Sequence, residues 1–272
     1  MNGLPQRQQV NCDGFSLSWR EAGRGHAVVL LHGISSGSAS WVKQFSDRCL
    51  TDGHRLIAWD APGYGNSTAL PQIAPNAADY ANALAALIAE LKLQQPLIVG
   101  HSLGALVGSA YAAANGDRLS GLVLADPAQG YAGATAEKRQ QVYEQRKQMI
   151  ETVGPQGYGV QRAAALLREG ADQQDIDWVR SGMQQLNPAG FLSAAWMLAN
   201  DDINQYLPRY RGPLQLWCGS EDNITPPQGV ETLARRRNAT MRLINAAGHA
   251  SYLDAAATFN RYLQDFSGAL QR

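Results

Sequence analysis

With 272 residues and 45% apolar side chains, the chain is long enough to bury one large α/β core with an inserted lobe, and no second independent domain is required. Its 23 Lys and Arg balance 23 Asp and Glu, a formal net charge of zero that excludes the basic excess of a nucleic-acid binder; Arg235-Arg236-Arg237 reads as a solvated helix end. Three scattered cysteines, Cys12, Cys49 and Cys218, have no Cys-x-x-Cys spacing, which argues against a disulfide framework or a zinc site and for reduced thiols.

The first residues, Met1 to Gln6, lack a charged region followed by an apolar core, and no apolar run approaches the length of a membrane span. A cytoplasmic protein without a membrane partner is expected. Residues Gln9 to Glu21 alternate around Asp13-Gly14, which predicts two antiparallel edge strands. Short apolar runs of the kind buried on both faces of a parallel sheet then recur at Ala27 to Leu31, Arg55 to Trp59, Pro96 to Val99, Leu122 to Ala125, Leu214 to Trp217 and Met241 to Ile244. Between them, Ser40 to Leu50, Ala77 to Leu93, Leu103 to Asn115, Gln228 to Arg237 and Ser251 to Leu270 carry apolar residues at three- and four-residue spacing, so the order is that of a doubly wound α/β sheet.

After Asp126 the strand signal disappears until Leu214, replaced by Gln-, Ala-, Arg- and Glu-rich helix formers punctuated by Gly154-Pro155 and Asn187-Pro188. That is too long for a loop in a compact domain. It predicts a core of 1–126 and 213–272 with a helical cap inserted at 127–212, over the carboxyl edge of the sheet where strand ends carry function.

At Leu97-Ile98-Val99-Gly100-His101-Ser102-Leu103-Gly104-Ala105 an apolar run meets a Gly-x-Ser-x-Gly turn and leaves it as a small-residue helix. This reads as a nucleophile elbow, in which the small neighbours of Ser102 let substrate approach and the helix start offers backbone N–H groups. The pattern alone is weak, because Gly33-Ile34-Ser35-Ser36-Gly37 matches it too. Position decides. The turn after the first parallel strand has to supply an oxyanion N–H before the nucleophile appears, so Ser102 is the nucleophile and Gly33-Ile34 the turn. The N–H groups of Ile34 and Leu103 are the candidate oxyanion donors.

Of five histidines, His26 and His54 precede their strands and lie at the opposite edge, while His32 and His101 belong to turns. His249, after the last strand in Asn245-Ala246-Ala247-Gly248-His249-Ala250, is the candidate base. Two acids follow strands, Asp222 and Asp126, with Glu221 a weaker third, and spacing leaves the choice open. Asp60-Ala61-Pro62-Gly63-Tyr64-Gly65-Asn66-Ser67 lacks the third glycine of a dinucleotide fingerprint and the Gly-Lys-Ser/Thr of a P-loop, so it reads as a structural turn. No metal-ligand spacing occurs, and neither metal nor cofactor is expected.

Taken together, His32-Gly33 after a strand, Asp60 to Ser67, the Ser102 elbow, Gly219-Ser220-Glu221-Asp222 with Pro226, and Gly248-His249 resemble the α/β-hydrolase superfamily over nearly the whole chain. The resemblance implies an eight-stranded, mostly parallel sheet flanked by helices, a helical cap, and an acid more often at the position of Asp222. The nearest-looking groups are capped esterases, lactonases and carbon–carbon bond hydrolases of aromatic degradation. Those last enzymes usually carry Trp directly after the catalytic His, where this chain has Ala250. The expected function is cofactor-free serine hydrolysis of a small ester, lactone or related carbonyl compound. The alternatives are carbon–carbon hydrolysis, a non-catalytic ligand receptor on the same fold, and cofactor-free perhydrolysis or oxygenation. Trp178, Met183, Phe191, Trp196, Met197 and Leu198 of the insertion, with Trp41 near the oxyanion turn, make an apolar or aromatic pocket the expectation. Most of the insertion's residues serve its own core in this reading, and Gly33, Trp41 and Trp196 are the substrate-contact candidates. Oligomeric state is left open.

Overall fold

The computed structural model describes residues 4–12 and 14–271. Eight strands form one sheet in the order β1-β2-β4-β3-β5-β6-β7-β8. The strands are β1 (Arg7–Cys12), β2 (Phe15–Ala22), β3 (His26–Leu31), β4 (His54–Asp60), β5 (Leu97–His101), β6 (Gly121–Ala125), β7 (Leu214–Gly219) and β8 (Thr240–Ile244). Strand β2 runs antiparallel to β1 and β4, and the other pairings are parallel. The sheet is therefore eight-stranded and mostly parallel, with the expected hairpin at one edge; Asp13 of the hairpin signal lies outside the described residues. All residues of β5 and β6 are buried, as continuous apolar runs require when helices cover both faces. The edge strand β8 is different: only Ile244 is buried.

Ten α-helices are described: α1 (Val42–Phe45), α2 (Arg48–Thr51), α3 (Ala77–Glu90), α4 (Leu103–Asn115), α5 (Ala136–Arg162), α6 (Gln173–Met183), α7 (Pro188–Asn200), α8 (Pro227–Arg237), α9 (Ser251–Asp254) and α10 (Ala256–Leu270). Helix α3 starts at a capping box, with Asn76 accepting from the N–H groups of Ala78 and Asp79 while Asp79 accepts from Asn76 N–H. The buried face of α3, including Tyr80, Leu84 and Leu87, follows helical spacing; each large apolar side chain so buried contributes about 1.5–3 kcal/mol.

Two expected helices are broken. Ser40 to Leu50 is a 3₁₀ turn (Ser38–Trp41) followed by α1 and α2, because Asp47 caps a fresh start by accepting from Leu50 N–H. Ser251 to Leu270 divides at Ala255 into α9 and α10. There the Asp254 carboxylate accepts from the backbone N–H of Gly248 and Arg168, joining the loop before α9 to the helical insertion.

The segment Asp60 to Ser67 is a structural turn. The Asp60 carboxylate, 1% exposed, accepts from Ser18 Oγ at 2.8 Å, Ser38 N at 2.8 Å and Arg7 Nε at 2.9 Å. Buried donors left without such an acceptor would each cost roughly 1–3 kcal/mol, so this carboxylate ties β1, β2 and β4 to the loop after β3. Helices α5, α6 and α7 occupy the chain between β6 and β7, with α5 packed on both others.

Candidate active site

The carboxyl ends of β3, β5, β6 and β7 meet at one edge of the sheet. Ser102 sits between β5 and α4 at φ 51° and ψ −116°, a backbone conformation that costs a non-glycine residue energy and persists only where its surroundings impose it. They do so by close packing. A Cβ on Gly100 would run into the Gly104 backbone, and one on Gly104 into the Leu31 carbonyl at the end of β3. The serine is thereby pushed outward, with its N–H donating to Ala125 O.

His249 approaches from the loop after β8. Its Nε2 lies 2.9 Å from Ser102 Oγ, and its Nδ1 lies 2.9 Å from Asp222 Oδ2. Since a carboxylate only accepts, Nδ1 carries the proton and Nε2 faces the serine as an acceptor. Burial opposes ionisation of Asp222, but hydrogen bonds from His249 and Thr225, with attraction to the His249 imidazole when it is protonated, outweigh it and hold the acid down to about 2. Asp222 Oδ1 also accepts from the N–H groups of Ile224 and Thr225, which fixes the carboxylate plane. This arrangement can pass the Ser102 proton to imidazole while keeping one tautomer.

Asp126 is close by but points elsewhere. Its Oδ1 accepts from Gly219 N–H at 2.8 Å and its Oδ2 from Ser251 Oγ at 2.6 Å. Burial, reinforced by the Asp222 charge, raises it to about 7 against the opposing pull of His249, Ser251 and Gly219. Its neutral form favours folding fully below the unfolded value of 3.8, and that contribution is lost as pH rises through about 7. Asp126→Asn removes this dependence. Its melting temperature relative to wild type is expected to be higher at pH 8 than at pH 5 by roughly 5 °C, read by scanning calorimetry. Glu221 is exposed and has no role in the triad geometry.

The other turn residues are held by neutral imidazoles. His32 accepts from Ala61 N–H at Nε2, so its Nδ1–H donates to Gly33 O at 2.8 Å. Tyr64 Oη donates to Ile34 O, also at 2.8 Å. Among the described residues, the N–H groups of Ile34 and Leu103 have no protein acceptor; for Leu103 that is the ordinary state of a first helical residue. His101 donates from Nε2 to His249 O at 2.8 Å, and burial, with the His249 charge, lowers it to about 3.

A cavity of about 300 Å³ opens onto Ser102 and His249, and Gly33, Tyr131, Arg146, Tyr158, Leu198 and Ile224 contribute to its walls. Two expected contacts fall elsewhere. Trp41 is completely buried, its ring 4.5 Å from Tyr252 and 6.5 Å from His101, because its 3₁₀ turn aims the side chain into the core behind the elbow. Trp196 is 36% exposed on α7 and meets Tyr143 edge-on, outside the cavity. Met183, Phe191 and Met197 are buried core of the insertion, as expected, whereas Trp178 borders a second cavity of about 370 Å³ beside the first. Sequence reasoning missed Thr225, Tyr158, Arg146 and Arg162. Only Thr225 had a signal, its place three residues after Asp222 at a loop that must fix a carboxylate. The second Gly-x-Ser-x-Gly serine, Ser35, has no histidine beside it and pairs with Tyr158 Oη at 2.9 Å.

Asp126, Cys218 and Asp222 offer three ligand atoms within 4.8 Å of one another. Their chemistry suits a hydrogen-bonded core: burial and the two carboxylates push the Cys218 thiol well up, away from the thiolate a metal takes, and Asp222 is committed to His249 and Thr225. No helix among the described residues is long and apolar enough to cross a membrane.

A family model for the alpha/beta hydrolase fold matches residues 26–256. The pimeloyl-[acyl-carrier protein] methyl ester esterase of Vibrio vulnificus is 29% identical over 93% of this chain and 98% of its own length. The 2-hydroxy-6-oxononadienedioate/2-hydroxy-6-oxononatrienedioate hydrolase 2 of Pseudomonas putida is 27% identical over 93% of this chain and 91% of its own. Among solved structures, a thermophilic esterase from Thermogutta terrifontis superposes with a TM-score of 0.86 at 24% identity, covering 98% of this chain and 100% of that one.

Proposed function

The chain belongs to the α/β-hydrolase fold family and is a hydrolase, and from that premise we propose that it cleaves a small ester or lactone through an acyl-enzyme on Ser102. The observation that carries this reading is the unbroken chain from Ser102 Oγ through His249 to Asp222, opening onto the cavity. Ser102 Oγ attacks the carbonyl carbon while His249 Nε2 takes its proton, and Asp222 stabilises the imidazolium that forms. The developing oxyanion accepts from the N–H groups of Ile34 and Leu103, each donor being worth about 3 kcal/mol. His249 then returns the proton to the leaving alkoxide. Water, activated by the same imidazole, attacks the acyl-enzyme and releases the acid and Ser102. Residues 127–212 act as the cap that walls this cavity from above.

A second reading, carbon–carbon bond hydrolysis, is supported by the likeness to the Pseudomonas putida hydrolase and could use the same Ser102, His249 and oxyanion turn. Against it stands Ala250, fully buried where the ring-fission hydrolases usually carry Trp. A steady-state panel of a short p-nitrophenyl ester, a small lactone, a long-chain triglyceride and a vinylogous ring-fission diketone separates the readings. The highest kcat/KM is expected on the ester or lactone. The highest value on the diketone would replace ester cleavage by carbon–carbon cleavage.

A further inference from the structure

Helix α5 is interrupted at Gly154, whose φ of 63° and ψ of 177° are non-helical and open to glycine, followed by Pro155, which cannot continue the helical hydrogen bonding. On a straight helix the sixteen-residue separation of Arg146 and Arg162 would hold them about 24 Å apart along the axis. Instead both line the cavity that contains Ser102 and His249, together with Tyr158. The same three residues also line an outer cavity of about 590 Å³, so they form the partition between the catalytic cavity and the outside of the insertion.

Neither arginine is neutralised. Among the described residues neither forms an ion pair, and the hydrogen bond of Arg146 goes from Nη1 to Val142 O at 2.8 Å, one turn back on its own helix. Burial disfavours the Arg146 charge, Tyr158 and Tyr131 oppose that effect, and the Arg162 charge adds to it. Two like charges held near one another in a half-buried wall, with no carboxylate to balance them, are costly to the folded chain and favourable to an anionic ligand. A guanidinium presents its donors as a flat fork that matches a carboxylate.

We propose that Arg146 and Arg162 form an anion-binding wall of the catalytic cavity, so that the preferred substrate is an ester or lactone bearing a carboxylate on the part that faces the kink of α5. The proposal rests on the Ser102 hydrolase reading for its catalytic half, and on the arginine placement alone for its binding half. A cavity of about 300 Å³ accommodates small mono-esters of dicarboxylic acids and lactones of comparable size.

The test compares kcat/KM for monomethyl adipate with that for methyl hexanoate, an uncharged ester of equal acyl length, followed by methanol release. Wild type is expected to favour the anionic ester by at least about tenfold. That ratio should fall towards one in R146Q and R162Q, through KM rather than kcat, while R146K, which keeps the charge without the fork, retains part of it. Calorimetric titration with adipate provides the second arm, with binding to R146Q and R162Q weaker than to wild type by at least about tenfold. If R146Q fails to fold, judged by circular dichroism, R162Q and R146K carry both arms. Hydrolysis of neither ester with arginine-dependent adipate binding would overturn the ester reading of the Ser102 site and leave the anion wall standing. No preference for the anionic ester in an active wild type, or a preference that survives both glutamine substitutions, would overturn the anion wall.

Discussion

Replacing Ser102 by alanine is expected to lower kcat on a short ester by on the order of 10⁶-fold, whereas Ser35→Ala keeps turnover within about tenfold of wild type. Both serines satisfy Gly-x-Ser-x-Gly and both border the cavity. Their surroundings differ in the two respects that nucleophilic catalysis needs. Ser102 has His249 Nε2 at 2.9 Å and a strained turn that aims its oxygen outward, whereas Ser35 has the Tyr158 hydroxyl and no imidazole beside it. Loss of the Ser35–Tyr158 hydrogen bond removes about 1 kcal/mol of local order between the turn after β3 and α5. Stopped-flow and steady-state assays of the two variants read the difference directly. A dead Ser35→Ala enzyme beside an active Ser102→Ala one would reverse the assignment.

Asp222→Asn carries the second large effect, a fall in kcat on the order of 10⁴-fold with the fold intact. An amide at this position presents a donor to His249 Nδ1 or loses the acceptor that keeps the proton there, and either change favours the tautomer whose Nε2 cannot accept from Ser102. The Thr225 hydroxyl, 2.7 Å from Asp222 Oδ2, and the Thr225 and Ile224 N–H groups keep the altered side chain in place, so the loss is electronic rather than structural. Asp126→Asn should cost about tenfold at most, since its carboxyl serves Gly219 and Ser251 and not His249. Near-wild-type turnover in Asp222→Asn with complete loss in Asp126→Asn would move the acid to the end of β6.

The sheet was legible because continuous apolar runs of five or so residues, separated by amphipathic stretches, have one good solution, parallel strands covered on both faces. The sharp turn at Ser102 was legible because Gly100 and Gly104 mark a backbone contact that no side chain allows, and chain order favours Ser102 over Ser35 as the proposed nucleophile. Other features depend on directions and distances that a one-dimensional pattern does not carry. Asp126 and Asp222 both end strands, and only the relative reach of two loops decides which carboxylate meets His249. Trp41 is near the Gly33-Ile34 turn in sequence, yet the 3₁₀ geometry of Ser38–Trp41 points it into the core. Helix breaks at Asp47 and Ala255 follow from caps and loop ties to distant backbone groups, which apolar spacing does not register. Arg146 and Arg162 looked like ordinary residues of a polar helix, because what brings them to one cavity is the Gly154 conformation between them.

Covalent labelling is the most direct test of hydrolysis through Ser102. The protein is treated with an alkyl fluorophosphonate, residual esterase activity is followed, and peptides are mapped by mass spectrometry. One equivalent is expected to be incorporated on the peptide containing Ser102, in step with loss of activity. Inactivation with the adduct on Ser35, or full esterase activity with Ser102 unlabelled, would contradict it.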